Sequence, residues 1–275
     1  MPLARILSLR PIYRLLFAVL AHPIDLLNAS RMTLVKQPDA KPKLIRRPSM
    51  TPSEPPELKI SSWFSPIVYW VGRHIFLPFY FKRVEVSGLE NVPKDGAVIF
   101  APMHRSRWDA FMVPYVGGRL ATGRDLHFMV TSDEMKGLQG WAIRKMGGFE
   151  VDTEKPSLTS IRNGVGLLRS KGVMVVFPEG NIFKDRTVHP LKAGLARMAL
   201  QAAKGGKLNV QVVPIGLYYD KQPEIPVGTS VKIHVGKPLV TDDYQQFSTK
   251  VGSQKLMDDL TRSLTQIQTQ FVAGE

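Results

Sequence analysis

His104 and Asp109 are the residues whose types and spacing most directly fit chemistry. They stand in the run His104-Arg105-Ser106-Arg107-Trp108-Asp109, directly behind the apolar stretch Ala97–Ala101. Five helical steps turn a side chain through about 500°, so positions i and i+5 lie about 140° apart on a helix. The two side chains therefore meet only if a loop leaves a strand at Pro102–Met103 and turns into a helix near Asp109. Asp109 then accepts a hydrogen bond from one imidazole nitrogen, which fixes the tautomer and leaves the other nitrogen as a base near neutral pH. A second polar cluster, Phe177-Pro178-Glu179-Gly180, follows the apolar run Val173–Val176. Its Pro ends sheet pairing and its Gly allows close backbone approach. Glu179 is expected either to bind a polar acceptor group or to hold the site together by hydrogen bonds; the bland alternative is an ordinary turn carboxylate.

Acyl-enzyme chemistry needs a nucleophile on the protein, usually Ser or Cys. The chain has no Cys and no Gly-x-Ser-x-Gly elbow, and nothing marks Ser106 as a nucleophile. The simplest reading is that His104 deprotonates a hydroxyl of the substrate, which attacks an activated acyl group directly. Activation of water, giving a hydrolase, is the alternative chemistry.

These clusters need strands to carry them. From Lys82 onward strand and helix patterns alternate: strands at Arg83–Val86, Ala97–Ala101, Leu126–Val130, Gly148–Val151, Val173–Phe177, Val210–Leu217 and Ser230–Val235. Helices are expected from about Trp108, over Gly137–Lys145, through Leu158, Ile161, Val165 and Leu168 with Ser157 as N-cap, and over Ala193–Ala203. Leu256, Leu260, Leu264, Ile267 and Phe271 form the apolar stripe of a C-terminal helix. The alternation predicts one α/β domain with a mainly parallel mixed sheet flanked by helices. Both polar clusters then fall where buried strands end, the edge at which open α/β sheets bind ligands.

The chain divides into a basic apolar segment at 1–36, a Pro-rich linker at 37–57, an aromatic segment at 58–82 and the α/β domain at 83–275. Trp63–Phe81 holds eight aromatic rings together with Pro66, Arg73, His74 and Pro78, a composition that fits a segment lying in a membrane interface better than a span or, the alternative, a helix packed on the domain core. The formal net charge is +14, from 37 Lys+Arg against 23 Asp+Glu, which calls for an acidic partner: anionic lipid, a phosphorylated substrate or an acidic carrier protein. A nucleic-acid binding module without catalysis ranks below the enzyme readings, because the charges are dispersed and no recognition signature is present. Gly164-Val165-Gly166 lacks the third glycine of a dinucleotide fingerprint, and Gly205-Gly206-Lys207 reads as a helix stop. His127 and His189 have no ligand partners at metal spacing and read as a strand and a loop residue. Met129, Met135, Met146, Met174 and Met198 read as packing, with some available to line an acyl tunnel.

Four blocks in order resemble the 1-acylglycerol-3-phosphate acyltransferase (PlsC-like glycerolipid acyltransferase) family. They are Met103-His104-Arg105-Ser106-Arg107-Trp108-Asp109, where the family has Asn in place of Met103; a degraded second block, Gly147 to Thr153; Phe177-Pro178-Glu179-Gly180-Asn181-Ile182; and Val212-Val213-Pro214-Ile215. The resemblance implies an α/β acyltransferase with His104 as general base and Asp109 as its orienting partner. It also implies acceptor binding by Glu179, Gly180 and Asn181, a lyso-lipid acceptor, and an acyl thioester donor on coenzyme A or acyl carrier protein. No cofactor, metal or nucleic acid is implied, and the expected location is the cytoplasmic face of a membrane, peripheral or monotopic. Two family arginines that bind the acceptor phosphate are replaced by Thr153 and Ile182, neither of which makes bidentate phosphate contacts. Lys155, Lys184, Arg186 and Lys192, or Arg105 and Arg107, are the available substitutes. Otherwise the acceptor lacks a phosphomonoester.

Overall fold

The computed structural model describes residues 58–151, 157–206 and 208–273. The segments expected at 1–36 and 37–57, together with Thr153, Lys155 and Lys207, lie outside the described residues. Helix α1 (Phe64–Val71) runs through a π-helical turn at Gly72–Phe76 into the short α2 (Leu77–Tyr80), then β1 (Phe81–Ser87) and β2 (Ala97–Pro102). After them come α3 (Asp109–Gly117), α4 (Arg119–Thr122), β3 (Leu126–Thr131), α5 (Gly137–Lys145), β4 (Phe149–Val151) and α6 (Leu158–Arg169). The chain continues through β5 (Val173–Val175), α7 (Gly194–Ala203), β6 (Val210–Tyr219), β7 (Thr229–Val235), β8 (Leu239–Val240), α8 (Asp242–Gln245) and α9 (Thr249–Ala273).

The strands form one sheet in the order β1-β7-β6-β2-β5-β3-β4, with β8 beside β6. All neighbours are parallel except β6–β7 and β6–β8, so the expected mainly parallel mixed sheet is present. Strand β2 is buried at every position, as its uninterrupted apolar sequence requires of a strand covered on both faces. Its residues alternate between two cores. Ala97, Ile99 and Ala101 meet α6, α7 and α9, while Val98 and Phe100 meet α3. The predicted stripe of α9 faces the first core at all five positions. Gly216 on β6 is needed for that contact: a Cβ there would lie 2.2 Å from a methyl of Ile267. Ser157 caps α6 by accepting from the Ser160 N–H at 3.0 Å.

Pro214 lies within β6, a position that normally breaks a central strand. Its carbonyl accepts from Gly236 N–H on the β7/β8 side, so its missing donor faces that side too. There β6 is changing partner, pairing β8 at Gln211–Val212 and β7 from Ile215 onward, and no ladder bond is lost.

The aromatic segment is tied to the sheet domain. Ser65 donates to Asp125 at 3.0 Å, Leu126 N–H donates to the Tyr69 hydroxyl at 3.2 Å, and Arg73 donates to the Tyr115 carbonyl at 2.6 Å. Tyr69, Phe76, Leu77 and Phe81 are buried, whereas Trp63, Ile67, Trp70, Ile75 and Phe79 are exposed. One face thus packs on the domain and the other presents apolar rings outward. Among the described residues, no helix is long and apolar enough to cross a membrane.

Candidate active site

Strand β2 delivers the chain to Pro102, and the loop that follows turns into α3 at Asp109, as the i, i+5 spacing demands. His104 Nδ1 lies 3.0 Å from Asp109 Oδ2. The same oxygen accepts the backbone N–H groups of Arg105 at 2.6 Å and Ser106 at 2.8 Å, while Oδ1 accepts the Tyr219 hydroxyl at 2.6 Å. Asp109 is wholly buried, and its place at the start of α3 sets its negative charge against the positive end of the helix dipole. Nδ1 faces the carboxylate, and Nε2 has no partner among the described residues. The imidazole stacks on Phe177, ring centroids 3.9 Å apart. Burial, then the charge and hydrogen bond of Asp109, push the Tyr219 phenol well above its ordinary pKa.

The second cluster joins the first from behind. Strand β5 ends at Val175, earlier than the predicted Phe177, which frees Phe177 to lie against His104. Glu179 Oε2 accepts the His104 N–H at 2.8 Å and Oε1 accepts the His189 N–H at 3.0 Å. Arg105 Nη1 donates to both oxygens, at 2.9 and 3.1 Å, and Nη2 donates to the Thr187 carbonyl at 2.7 Å. Arg105 and Glu179 are each 2% exposed. These contacts turn the pair toward the His104 loop: both Glu179 oxygens and both Arg105 Nη atoms bond to each other or to backbone, while the buried Arg105 Nε has no partner among the described residues. The alternative role foreseen for Glu179, holding the site together, is the one its contacts fit.

A cavity of about 1570 Å³ opens in front of His104. Phe64, Val68, Phe76, Phe111, Tyr115 and Met198 contribute to its largely apolar wall, and Gly180, Asn181 and Ile182 border it. Gly180 has φ +76°, and a Cβ there would come 2.6 Å from Lys192 Cε, so glycine lets the lysine stem lie against the turn. Of the expected cationic substitutes, Arg107 and Lys192 reach the cavity, Arg107 paired with Glu134 at 2.9 Å. Lys184 and Arg186 are not on its wall, and the Arg186 guanidinium lies over the Tyr218 ring at 4.8 Å. Arg197 of α7 does line the cavity and was not foreseen; neither was Tyr219. Arg197 stands in an ordinary amphipathic helix and Tyr219 ends a strand far along the chain, so no local pattern points to either. His127 lies on β3 and His189 in a loop, as expected. Met129, Met146 and Met198 line the cavity, whereas Met174 is packed in the core.

His104 lies on the wall of a largely apolar cavity, a setting that fits chemistry on a substrate with a long hydrocarbon part. The Acyltransferase family model matches residues 83–218, which include His104, Asp109 and Glu179. The chain is 24% identical over 190 residues to the 1-acyl-sn-glycerol-3-phosphate acyltransferase of Bacillus subtilis (strain 168), covering 68% of this chain and 89% of that protein. It is 33% identical over 102 residues to glycerol-3-phosphate O-acyltransferase 2 of Saccharomyces cerevisiae, a match spanning 35% of this chain and only 14% of the yeast protein. Among solved structures, PlsC, the 1-acyl-sn-glycerophosphate (LPA) acyltransferase from Thermotoga maritima, aligns with a TM-score of 0.55 at 20% identity, over 74% of this chain and 78% of that one. At that identity the likeness is one of fold.

Proposed function

Since the chain belongs to the Acyltransferase family, we propose that it moves a fatty acyl group from a thioester of coenzyme A or acyl carrier protein to the free hydroxyl of 1-acylglycerol-3-phosphate, making phosphatidate. The observation that carries the proposal is the His104 imidazole, held by Asp109 at 3.0 Å and placed on the wall of the large apolar cavity. Nε2 accepts the proton of the acceptor hydroxyl as its oxygen attacks the thioester carbonyl carbon. The C–O bond forms, the C–S bond breaks, and the departing sulfur takes the proton back from His104. No protein nucleophile is required. The acyl chains occupy the apolar cavity. Arg107, Lys192 and Arg197 supply positive charge toward the acceptor phosphate, in place of the arginine that Ile182 replaces. The exposed rings of α1 and α2 rest on the cytoplasmic face of a membrane, where both lipids reside.

The test is an acyl-transfer assay with each thioester donor, a panel of lyso-acceptors and His104→Ala alongside. Phosphatidate formation that falls by about 10²–10⁴-fold in the variant is expected. Transfer confined to acceptors without a phosphomonoester would overturn the acceptor, and free fatty acid formed without any acceptor would make the protein a hydrolase. An acyl-enzyme trapped with donor alone would rule out direct transfer.

A further inference from the structure

We infer that Tyr219 is a positioning residue for the His104–Asp109 pair: its hydroxyl fixes the Asp109 carboxylate so that Oδ2 faces the imidazole, and it limits how firmly that carboxylate holds a proton on His104. Only the kinetic part of this inference rests on the proposed function. The donors to Oδ2 all come from the His104–Ser106 loop beside it. Among the described residues, Oδ1 has a single donor, Tyr219, from a strand 110 residues away. Both side chains are wholly buried, so no water takes the place of that phenol. Strand β6 is in register with β2 up to the Pro102–Ile215 pair, and this sheet contact fixes Tyr219 relative to the loop that begins at Met103. Tyr219 lies one residue beyond the stretch matched by the family model, which ends at 218.

A donor to a carboxylate draws off part of its charge. Removing the donor makes the carboxylate a stronger partner for imidazolium and raises the pH at which the imidazole loses its proton. The other charged groups around the pair are Arg105 and Glu179, which neutralise each other behind the loop, and Arg107 with its partner Glu134, Lys192 and Arg197 on the cavity wall. The charge that acts on the Tyr219 phenol is that of Asp109, so the others act alike in the wild type and in a variant without the hydroxyl. The phenol remains protonated across the working range, because burial and the neighbouring carboxylate both oppose its ionisation.

The experiment uses the full chain with Tyr219→Phe, and Phe81→Leu as a packing control whose ring centroid lies 6.2 Å from that of Tyr219. The histidine rings are isotopically labelled and titrated by NMR, the His104 signal being assigned by its loss in His104→Ala. Tyr219→Phe is expected to raise the His104 midpoint by about 0.5–1 pH unit, with no change in Phe81→Leu. Replacing tyrosine by 3-fluorotyrosine, a stronger donor that keeps the fold, is expected to lower it. In the transfer assay Tyr219→Phe is expected to reduce kcat by roughly ten-fold with KM within about two-fold, and to move the acid limb of kcat/KM upward. A midpoint unmoved by both tyrosine replacements, or moved equally by Phe81→Leu, overturns the inference. A wild-type protein that transfers no acyl group overturns the proposed function instead, and the NMR titration still decides the role of Tyr219.

Discussion

Removing Arg105 strands the Glu179 carboxylate in a place that water does not reach. Breaking one side of such a buried pair costs about 3–5 kcal/mol. Arg105→Met is therefore expected to lower the melting temperature by about 10 °C, as read by thermal denaturation; a change under about 2 °C would mean that the pair contributes little. His127 makes a different prediction. Burial pushes its pKa down, although the Leu58 and Val173 carbonyls on its two ring nitrogens pull the other way. The unfolded imidazole takes up a proton as pH falls through about 6.5, while the folded one resists, so the unfolded state binds more protons and stability drops with acidification below that point. His127→Gln is expected to flatten this loss, compared by urea midpoints at about pH 7.5 and about pH 5.5. At this scale the sequence was legible where chemistry is local. His104 and Asp109 share one loop, and their spacing already required the geometry found. Glu179 was legible as a site residue without its direction, because residue type does not say whether a carboxylate faces the cavity or the loop behind it.

Strands β2 and β5 were legible as apolar runs, since a strand covered on both faces has no polar alternation to disguise it. Strand β6 runs two residues further than its pattern implied, because Tyr218 and Tyr219 fit a loop as well as a strand, and β8 is too short to leave a pattern. One face of α1 and α2 packs on the core, and the opposite face leaves its rings exposed, as an interfacial role would require. Trp63 and Trp70 are 63% and 53% exposed, whereas Tyr69 is 7% exposed. Trp63→Ser with Trp70→Ser is expected to reduce partition into lipid vesicles by about ten-fold or more in a sedimentation assay, with little change in melting temperature. Tyr69→Phe, which removes the acceptor of the Leu126 N–H, is expected to show the reverse pattern. Vesicle binding untouched by the double tryptophan change would move the contact surface away from α1.

For the whole molecule, the net charge of +14 adds a long-range attraction to anionic lipid that the exposed rings do not provide. Binding to anionic vesicles is expected to weaken several-fold as salt rises from about 0.05 M to about 0.5 M, while binding to neutral vesicles changes little. Equal salt sensitivity on both would remove the charge from the mechanism. The chain's order in time adds a last consequence. Strand β2, which leads into His104, has both of its neighbours, β5 and β6, later in the chain. Tyr219 follows Asp109 by 110 residues, roughly 5–20 s of synthesis at ordinary elongation rates. During that interval a nascent chain holds both members of the histidine–aspartate pair but not the strand that locks them, while the ring-bearing face of α1 has already been made. A growing chain therefore presents its exposed rings well before its histidine–aspartate pair is complete.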